Sequence, residues 1–330
     1  MSVREDLGCR DMADTMFTHK LSEAQVLQLR EAILGKGFVL GPLEYGHFSA
    51  RKGKCVLQMY LSGKLVVAGK EAREFVEFTL EPEILGEARI GYEKVRNPEM
   101  YAPHFGIDES GKGDLFGPLV VAGVYVDEDT AERLVEIGVR DSKTITTDKK
   151  IGELAEEIGK TVRGGMELIT IGPERYSDLY RKFGNLNRML AWAHGKVIAN
   201  LHAKVPSCPR ALSDQFGDPK LVAGELRRQE VEIQLEQRTK AESDIAVAAA
   251  SILARAEFVR SLSRLSMQAG VELMKGAGAG VKKQAIEIYA KQGREGLAKL
   301  SKTHFRTFAE AVGDPVAPKV EWKKRKVSGG

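Results

Sequence analysis

The sequence predicts a small α+β domain followed by a larger α/β domain whose central sheet has mixed strand order. The chain has 330 residues, which is more than one small domain usually contains. Short β-type runs occupy residues 37–69, whereas strand and helix patterns alternate from Phe105 onward. A stretch interrupted by proline and glycine separates the two patterns. We therefore place the domains at 1–88 and 105–314, with a linker at 89–104.

The composition is that of an ordinary globular protein. Charged residues make up 29% and hydrophobic residues 43% of the chain, which excludes collagen-like and disordered classes. No run approaches the roughly 18 apolar residues of a membrane span, and charges crowd the first twenty positions, so we expect neither membrane association nor a signal peptide. Cys9, Cys55 and Cys208 are too few and too widely spaced for a disulfide framework. A cytoplasmic location is expected.

In the first domain we expect a helix, three strands and a second helix. Residues 22–34 carry apolar side chains at helical spacing, and Ser22 with Gln25 has the form of a capping box. Three β-type runs follow, FVLGPLEYGHFSA, CVLQMYL and KLVVAG, with Ser62 and Gly63 as a hairpin turn. A second helix is predicted over about 70–79, since Pro82 interrupts the pattern beyond it.

The strands of this domain carry basic residues without any acid. Between Phe48 and Lys70 the basic residues are Arg51, Lys52, Lys54, Lys64 and Lys70, interleaved with Phe48 and Tyr60. Alternate members of this set would share one face of a sheet. That face is either a solvated surface whose lysines protect sheet edges or a nucleic-acid platform, and the residues alone leave both interpretations open.

In the second domain, strands and helices follow one another. Strands are predicted at FGIDE, GPLVVAGVYV, GMELITIG, RALSDQF and VEIQLEQ. The longest predicted helix is DIAVAAASILARAEFVRSLSRL, and the last two are VKKQAIEIYAKQG and SKTHFRTFAEAV. Residues 315–330 form a basic, proline-flanked tail that we expect to be disordered. The lone histidines His194, His202 and His304 lack the spacing of a zinc helix and are expected to be structural.

The segment GIDESGKGD places adjacent carboxylates, Asp108 and Glu109, at the end of a predicted strand and a Gly-Lys-Gly turn after it. One interpretation is a phosphate-binding P-loop, but Gly113 stands where Ser or Thr should bind magnesium. The other is that the carboxylates hold hard divalent cations, which prefer oxygen ligands, while the turn and Lys112 approach a phosphate. The second interpretation is favoured, because two carboxylates would crowd a triphosphate with negative charge.

Further acids lie at the ends of predicted elements. Asp214 ends the run ALSD, and Glu242 and Asp244 precede the long small-residue helix. An acid before a helix also stabilises the helix N-terminus, so Asp244 is either a metal ligand or only a helix cap. Three such acidic sites in one α/β domain are typical of a two-metal phosphoryl-transfer site.

Together these motifs resemble the ribonuclease HIII family, a type 2 ribonuclease H. The matching blocks, between about Phe105 and Phe305, are DESGKGD, GPLVVAGV, RDSK, LSDQF, TKAES with AVAAASILAR, and KTHF. The first domain is similar to that family's domain resembling the TATA-box-binding protein, whose sheet is taken to grip the substrate. The resemblance implies a ribonuclease H-like fold for residues 105–314. It also implies that this domain hydrolyses the RNA strand of RNA/DNA hybrids and leaves 5′-phosphate and 3′-hydroxyl ends. A ribonuclease HII-like enzyme that cuts at single ribonucleotides and a non-catalytic hybrid-binding protein are the alternatives.

The resemblance also implies roles for individual residues. The catalytic acids, which are also the ligands of two Mg²⁺ ions with Mn²⁺ as a substitute, are Asp108, Glu109, Asp214 and Glu242. Asp244 stays an alternative for the fourth acid. The implied substrate contacts are Gly111, Lys112, Gly113, Lys143 and Ser251, to which the basic stretch adds Arg51, Lys52, Lys54 and Lys64. We expect a monomer that acts on the hybrid without an obligate protein partner.

Overall fold

The computed structural model describes residues 16–86, 97–139, 145 and 147–316. The chain divides into two compact units, the first reaching Ala102 and the second starting at Pro103. Much of the predicted linker, and almost all of the predicted tail, lie outside the described residues. The domain boundaries at 88 and 105 therefore stay a prediction.

In the first unit, a five-stranded antiparallel sheet carries its helices on one face. Its elements are β1 (Met16–Lys20), α1 (Glu23–Gly35), β2 (Val39–Gly41), β3 (Gly46–Lys52), β4 (Cys55–Tyr60), β5 (Lys64–Ala68) and α2 (Ala72–Phe75), which continues as a π-helical segment (Val76–Leu85). The spatial strand order is β1-β5-β4-β3-β2. The predicted capping box is confirmed at α1, where Gln25 N–H donates to Ser22 Oγ and Ser22 N–H donates to Gln25 Oε1.

Three expectations for this unit are wrong. Strand β1 precedes α1, and it is missing from the predicted elements because its five residues, MFTHK, form no clear strand pattern. The run FVLGPLEYGHFSA forms two strands, because the chain turns between them at Tyr45, whose φ is +57°. The second helix continues through Pro82 with wider π-helical spacing, and it ends where Gly86 adopts a left-handed φ of 65°.

The second unit contains a five-stranded mixed sheet flanked by helices, as predicted. The strand order is β10-β9-β6-β7-β8, in which β9 runs parallel to β6 and β10 while β7 runs antiparallel to β6 and β8. The elements are β6 (His104–Ser110), β7 (Leu119–Val126), α3 (Glu128–Glu136), α4 (Asp148–Val162), β8 (Met166–Ile171), α5 (Pro173–Phe183), α6 (Leu186–Lys204), β9 (Arg210–Asp214), α7 (Lys220–Arg228), β10 (Gln234–Arg238), α8 (Ile245–Ala269), α9 (Ala279–Leu300) and α10 (Arg306–Val312).

Helix α8 packs directly on the central strand β6. A side chain at Gly106 would place its Cβ 2.3 Å from the backbone of Ala246 and Val247, so strand and helix approach backbone to backbone. Successive side chains of a strand point to opposite faces. Asp108 therefore shares the α8 face with Gly106, whereas Glu109 shares the α6 face with Phe105 and Ile107, which pack in the core with residues of α6.

Helices α5 and α7 are missing from the predicted elements, and the last helix is wrongly predicted to include KTHF. Helix α10 begins at Arg306, and Lys302 lies before it, fully buried. Of the helices in the described ranges, none is both long enough and apolar enough to cross a membrane.

Candidate active site

A pocket opens where β6 and β9 end. Because these strands are parallel and adjacent, their carboxyl ends bring Asp108, Glu109 and Asp214 to one edge of the sheet. The pocket is lined by Asp108, Glu109, Ser110, Gly111, Lys112, Gly113, Asp114, Asp214, Ser251 and Arg255. The structure thus brings together three of the four predicted acids, the Gly-Lys-Gly turn and Ser251.

Asp108 is a buried acid among other acids. Its Oδ1 accepts a hydrogen bond from Glu109 N–H at 2.7 Å, and its carboxylate is also hydrogen-bonded to Ser251. Burial, followed by the negative charges of Glu109 and Asp214, raises the pKa of Asp108 to about 7. Ser251, which the sequence left as either a packing residue or a substrate contact, therefore touches the carboxylate itself.

Glu109 is held ionised by two neighbours. Burial opposes its ionisation, but the hydrogen bond and charge of His194, together with Lys112, outweigh this and lower the pKa of Glu109. His194 Nε2 lies 3.2 Å from Glu109 Oε2, and Lys112 Nζ lies 3.5 Å from Glu109 Oε1. The charge of Glu109 is thus fixed from both sides.

His194 also connects Glu109 to the third acid. Its Nδ1 lies 3.0 Å from Ser213 Oγ, which donates to the carbonyl oxygen of Asp214 at 3.1 Å. The ring is fully buried. Its role was missed, because a lone histidine is usually structural; the available signal was a polar residue inside the apolar run of α6.

The Gly-Lys-Gly turn is shaped by Gly111. This residue has a φ of +87°, and a Cβ there would lie 2.2 Å from Pro118 O. The chain enters strand β7 at Leu119 after the turn, whereas a P-loop leads into a helix. The P-loop interpretation is therefore wrong.

The far end of this turn is anchored by residues from distant segments. Asp114 Oδ1 accepts from Gly276 N–H at 2.6 Å, and the Asp114 carbonyl oxygen accepts from Lys302 Nζ at 2.8 Å. Burial lowers the pKa of Lys302 to about 7. The KTHF block thus contributes a buried amine that holds the turn in place.

The two candidates for the fourth acid have different surroundings. Asp244 caps α8, since its Oδ1 accepts from Ala246 N–H at 2.9 Å and from Val247 N–H at 3.2 Å and lies 2.9 Å from His104 Nε2. Glu242 is partly buried in the turn before α8 and lies outside the pocket lining. That turn adjoins Asp214, whose Oδ1 accepts from Ala241 N–H at 3.2 Å.

The carboxylates suit a hard divalent cation by their chemistry. Their donor atoms are oxygens, and a cation would offset the burial and the negative charges that together raise the pKa of Asp108. Across the residues that the structure describes, no three His, Cys, Asp or Glu side chains are grouped closely enough to form a coordination sphere.

Comparison with known proteins decides the family. The ribonuclease HII family model matches residues 105–308. Ribonuclease HIII of Chlamydia muridarum is 44% identical over 301 residues, which cover 91% of this chain and 98% of that protein. Ribonuclease HIII of Protochlamydia amoebophila is 41% identical over 294 residues, covering 89% and 94% of the two chains. The chain belongs to the ribonuclease HIII family.

Solved structures of a ribonuclease HIII and of a ribonuclease HII have the same fold. Bst-RNase HIII in complex with Mn²⁺ is 27% identical, with a TM-score of 0.62 over 91% of this chain and 98% of its own. The RNase HII of Archaeoglobus fulgidus, solved in a complex with PCNA, is 29% identical with a TM-score of 0.52, but it covers 62% of this chain. The predicted family, its ribonuclease H-like fold and its ribonuclease H activity are confirmed. The family uses divalent metals.

In this ribonuclease HIII chain, the predicted basic contacts of the first unit separate onto different surfaces. Arg51 lies opposite Val56 on the open face of the sheet, and Lys64 alternates with buried Leu65 and so also faces outward. Lys52 lies opposite buried Cys55 and faces the helices, at the rim of a pocket lined also by Glu71, which precedes α2, and by Glu74 of α2.

Two other predicted residues of the first unit lie off the open face. Lys54 is in the β3–β4 turn, where its N–H donates to Glu71 Oε2. Phe48 is buried in the core, on the same helix-covered face of β3 as Lys52. Lys143 lies outside the described residues.

Proposed function

We propose that this chain cuts the RNA strand of RNA/DNA hybrids internally, leaving 5′-phosphate and 3′-hydroxyl ends. The observation that carries the proposal is the convergence of Asp108, Glu109 and Asp214 beside the Gly-Lys-Gly turn in one pocket. Relatives named ribonuclease HIII that match nearly the whole chain support the same substrate.

Asp108, Glu109, Asp214 and Glu242 would hold two Mg²⁺ ions, with Mn²⁺ as a substitute. Bound there, such ions activate a water molecule and stabilise the charge that develops on the scissile phosphate. An Mn²⁺ complex of Bst-RNase HIII supports the choice of metal. Glu242 is preferred over Asp244 because the carboxylate of Asp244 is occupied by the N-terminus of α8.

The other residues of the pocket position the RNA strand. The backbone from Gly111 to Gly113 would contact the ribose 2′-hydroxyl, the group that distinguishes RNA from DNA. Lys112 would contact a phosphate while it stays close to Glu109, and Lys143 would add a second basic contact. Ser251 orients Asp108 through their hydrogen bond.

Arg51 and Lys64 on the open sheet face of the first unit would hold the hybrid by its phosphates, with Lys52 and Lys54 at the end of the sheet. This assignment is supported by their exposure and by the absence of acids between residues 48 and 70 of the sequence. We also expect the chain to act as a monomer without an obligate protein partner.

A single cleavage assay separates this function from its alternatives. The purified chain is incubated with a hybrid that contains a run of ribonucleotides and with a DNA duplex that contains one ribonucleotide, each with Mg²⁺ or with EDTA. We expect internal cutting of the hybrid, dependent on Mg²⁺, and weak cutting at the single ribonucleotide. Preferential cutting at the single ribonucleotide would indicate a ribonuclease HII-like specificity, and binding without any cutting would indicate a non-catalytic protein.

A further inference from the structure

The catalytic unit has a second cavity, formed by the end of α5, the start of α6 and helix α7. Four of its lining residues are basic and one, Glu225, is acidic. The basic residues are Lys182, Arg188, Lys220 and Arg228. Its floor includes the partly buried apolar residues Phe183 and Leu221, which pack against the core of the unit.

The positive charge of this cavity is largely unbalanced. Arg228 Nη1 lies 2.6 Å from Glu225 Oε1, so the acid and one base neutralise each other. Within the described part of the chain, Lys182, Arg188 and Lys220 have no ion-pair partner. Three cations that line one concave surface create a local potential that attracts an anion.

The cavity and the proposed active site share helix α6, which contributes Arg188 to the cavity and His194 to the site. Arg188 precedes His194 by six residues on α6, which is about 9 Å along a helix axis. Helices α6 and α7 pack closely, since a Cβ at Gly195 would lie 2.9 Å from Glu225 Cβ. Lys220 follows Asp214 by six residues, a span of about 20 Å at most. The separation between these cations and the acids is therefore no more than the length of a duplex of several base pairs.

We propose that Lys182, Arg188 and Lys220, beside the Arg228–Glu225 ion pair, bind a backbone phosphate of the RNA/DNA hybrid several nucleotides from the cut. This inference rests on the proposed function. A phosphodiester fits because its charge complements the cluster, and phosphates recur about every 3.4 Å along each strand of a duplex, so one can occupy a fixed site at this distance. Arginine and lysine on the first turns of two helices supply the charge-assisted hydrogen bonds.

The test compares two double variants that lose the same charge from the same two helices. Arg188→Gln with Lys220→Gln removes two cluster cations. Lys196→Gln with Arg227→Gln removes one exposed lysine of α6 and one exposed arginine of α7 that do not line the cavity. Hybrid affinity is measured over a range of salt concentrations for each double variant in an Asp108→Asn background, in which we expect no cutting. We expect the cluster variant to bind about tenfold more weakly at low salt, with a salt slope reduced by about two, and the control to bind like its parent.

A second measurement locates the phosphate. Hybrids that carry one neutral methylphosphonate are bound to the Asp108→Asn protein and to the cluster variant. At one position the substitution should weaken binding by the Asp108→Asn protein several-fold and leave the cluster variant unaffected. Equal binding by the two double variants would overturn the inference. Equal sensitivity of both proteins to the methylphosphonate at every position would overturn it too. Either result would leave another anion, such as an acidic protein, as the occupant of the cavity.

The two proposals fail in different ways. If the unmodified chain cuts no hybrid, the proposed function is wrong whatever the double variants do. If the unmodified chain cuts the hybrid and the cluster and control variants bind it equally, only the phosphate site is wrong.

Discussion

His194 is the residue that ties the acids of the site together, because its two ring nitrogens lie beside Glu109 and Ser213. Mutation of a residue that hydrogen-bonds to a metal ligand typically lowers metal affinity or activity by about 10- to 100-fold. We therefore expect His194→Ala to raise the Mg²⁺ concentration for half-maximal cleavage and to lower kcat, while hybrid affinity stays the same. Metal titrations of initial rate measure this.

The matched control for that prediction is His202→Ala, which removes an imidazole two turns further along α6. Its Mg²⁺ dependence should be that of the unmodified chain. An unchanged Mg²⁺ dependence in His194→Ala, with only a loss of thermal stability, would show that His194 merely packs.

The buried amine of Lys302 should make the stability of the protein depend on pH. Its pKa falls from 10.5 in the unfolded chain to about 7 in the folded protein, so between these values the unfolded state binds more protons. The free energy of unfolding should therefore rise as pH increases from about 7 to 10. Lys302→Met removes this contribution, and denaturant titrations at each pH should show a flatter profile. A profile as steep as that of the unmodified chain would contradict the assigned pKa.

At the scale of elements, the N-terminus of α8 separates the two candidates for the fourth acid. Asparagine is as good an N-cap as aspartate, so Asp244→Asn should keep the helix cap and most of the cleavage activity. Glu242→Gln should fold normally and lose cleavage. Asp244→Ala should destabilise the protein by about 1 kcal/mol, because two backbone N–H groups lose their acceptor. Loss of activity in Asp244→Asn with retained activity in Glu242→Gln would reverse the assignment.

The sequence predicts elements where one local pattern dominates. The capping box at Ser22 and the small-residue helix α8 are correct because period, cap and composition agree. It fails where tertiary contacts decide the outcome. Strand β1 exists because MFTHK pairs with β5, and KTHF stays outside a helix while Lys302 reaches Asp114.

In the candidate site, too, the residues marked by a local pattern are predictable and those defined by tertiary contacts are not. Asp108, Glu109 and Asp214 are predictable because each ends a strand pattern, and parallel strands bring their ends together. The role of His194 is not predictable from the sequence, since it depends on which face of β6 carries Glu109. The cluster of Lys182, Arg188, Lys220 and Arg228 was not predicted either, because α5 and α7 are missing from the predicted elements. A signal for α5 was available in the sequence, since Pro173 begins this helix and Gly184 ends it.

For the whole molecule, the two units have separate expected contributions. Deleting residues 1–86 should weaken hybrid affinity far more than it lowers the maximal rate, since the proposed phosphate contacts of Arg51 and Lys64 would be lost while the carboxylates remain. The salt dependence of binding should become shallower for the same reason. Binding titrations of the truncated chain, with its folding checked by circular dichroism, measure this. Unchanged affinity after the deletion would refute a binding role for the first unit.

The near-neutral net charge of the whole chain, +4, is consistent with these separate roles. Acids gather at the end of β6 and β9, while cations gather on the open sheet face and beside α6 and α7. An enzyme that needs cations at one site and phosphates at others can carry strongly charged surfaces without a large net charge.

The central claim, that the carboxylates at the end of β6 and β9 cut the RNA strand, is tested most directly with Asp108→Asn. Asparagine keeps the oxygen that accepts from Glu109 N–H and removes one charge from a repelling cluster, so the protein should stay folded and bind the hybrid as before. Cleavage of a labelled hybrid is measured over a wide range of Mg²⁺ concentrations. We predict no cutting at any of them; turnover by Asp108→Asn would contradict the assignment of this pocket as the active site.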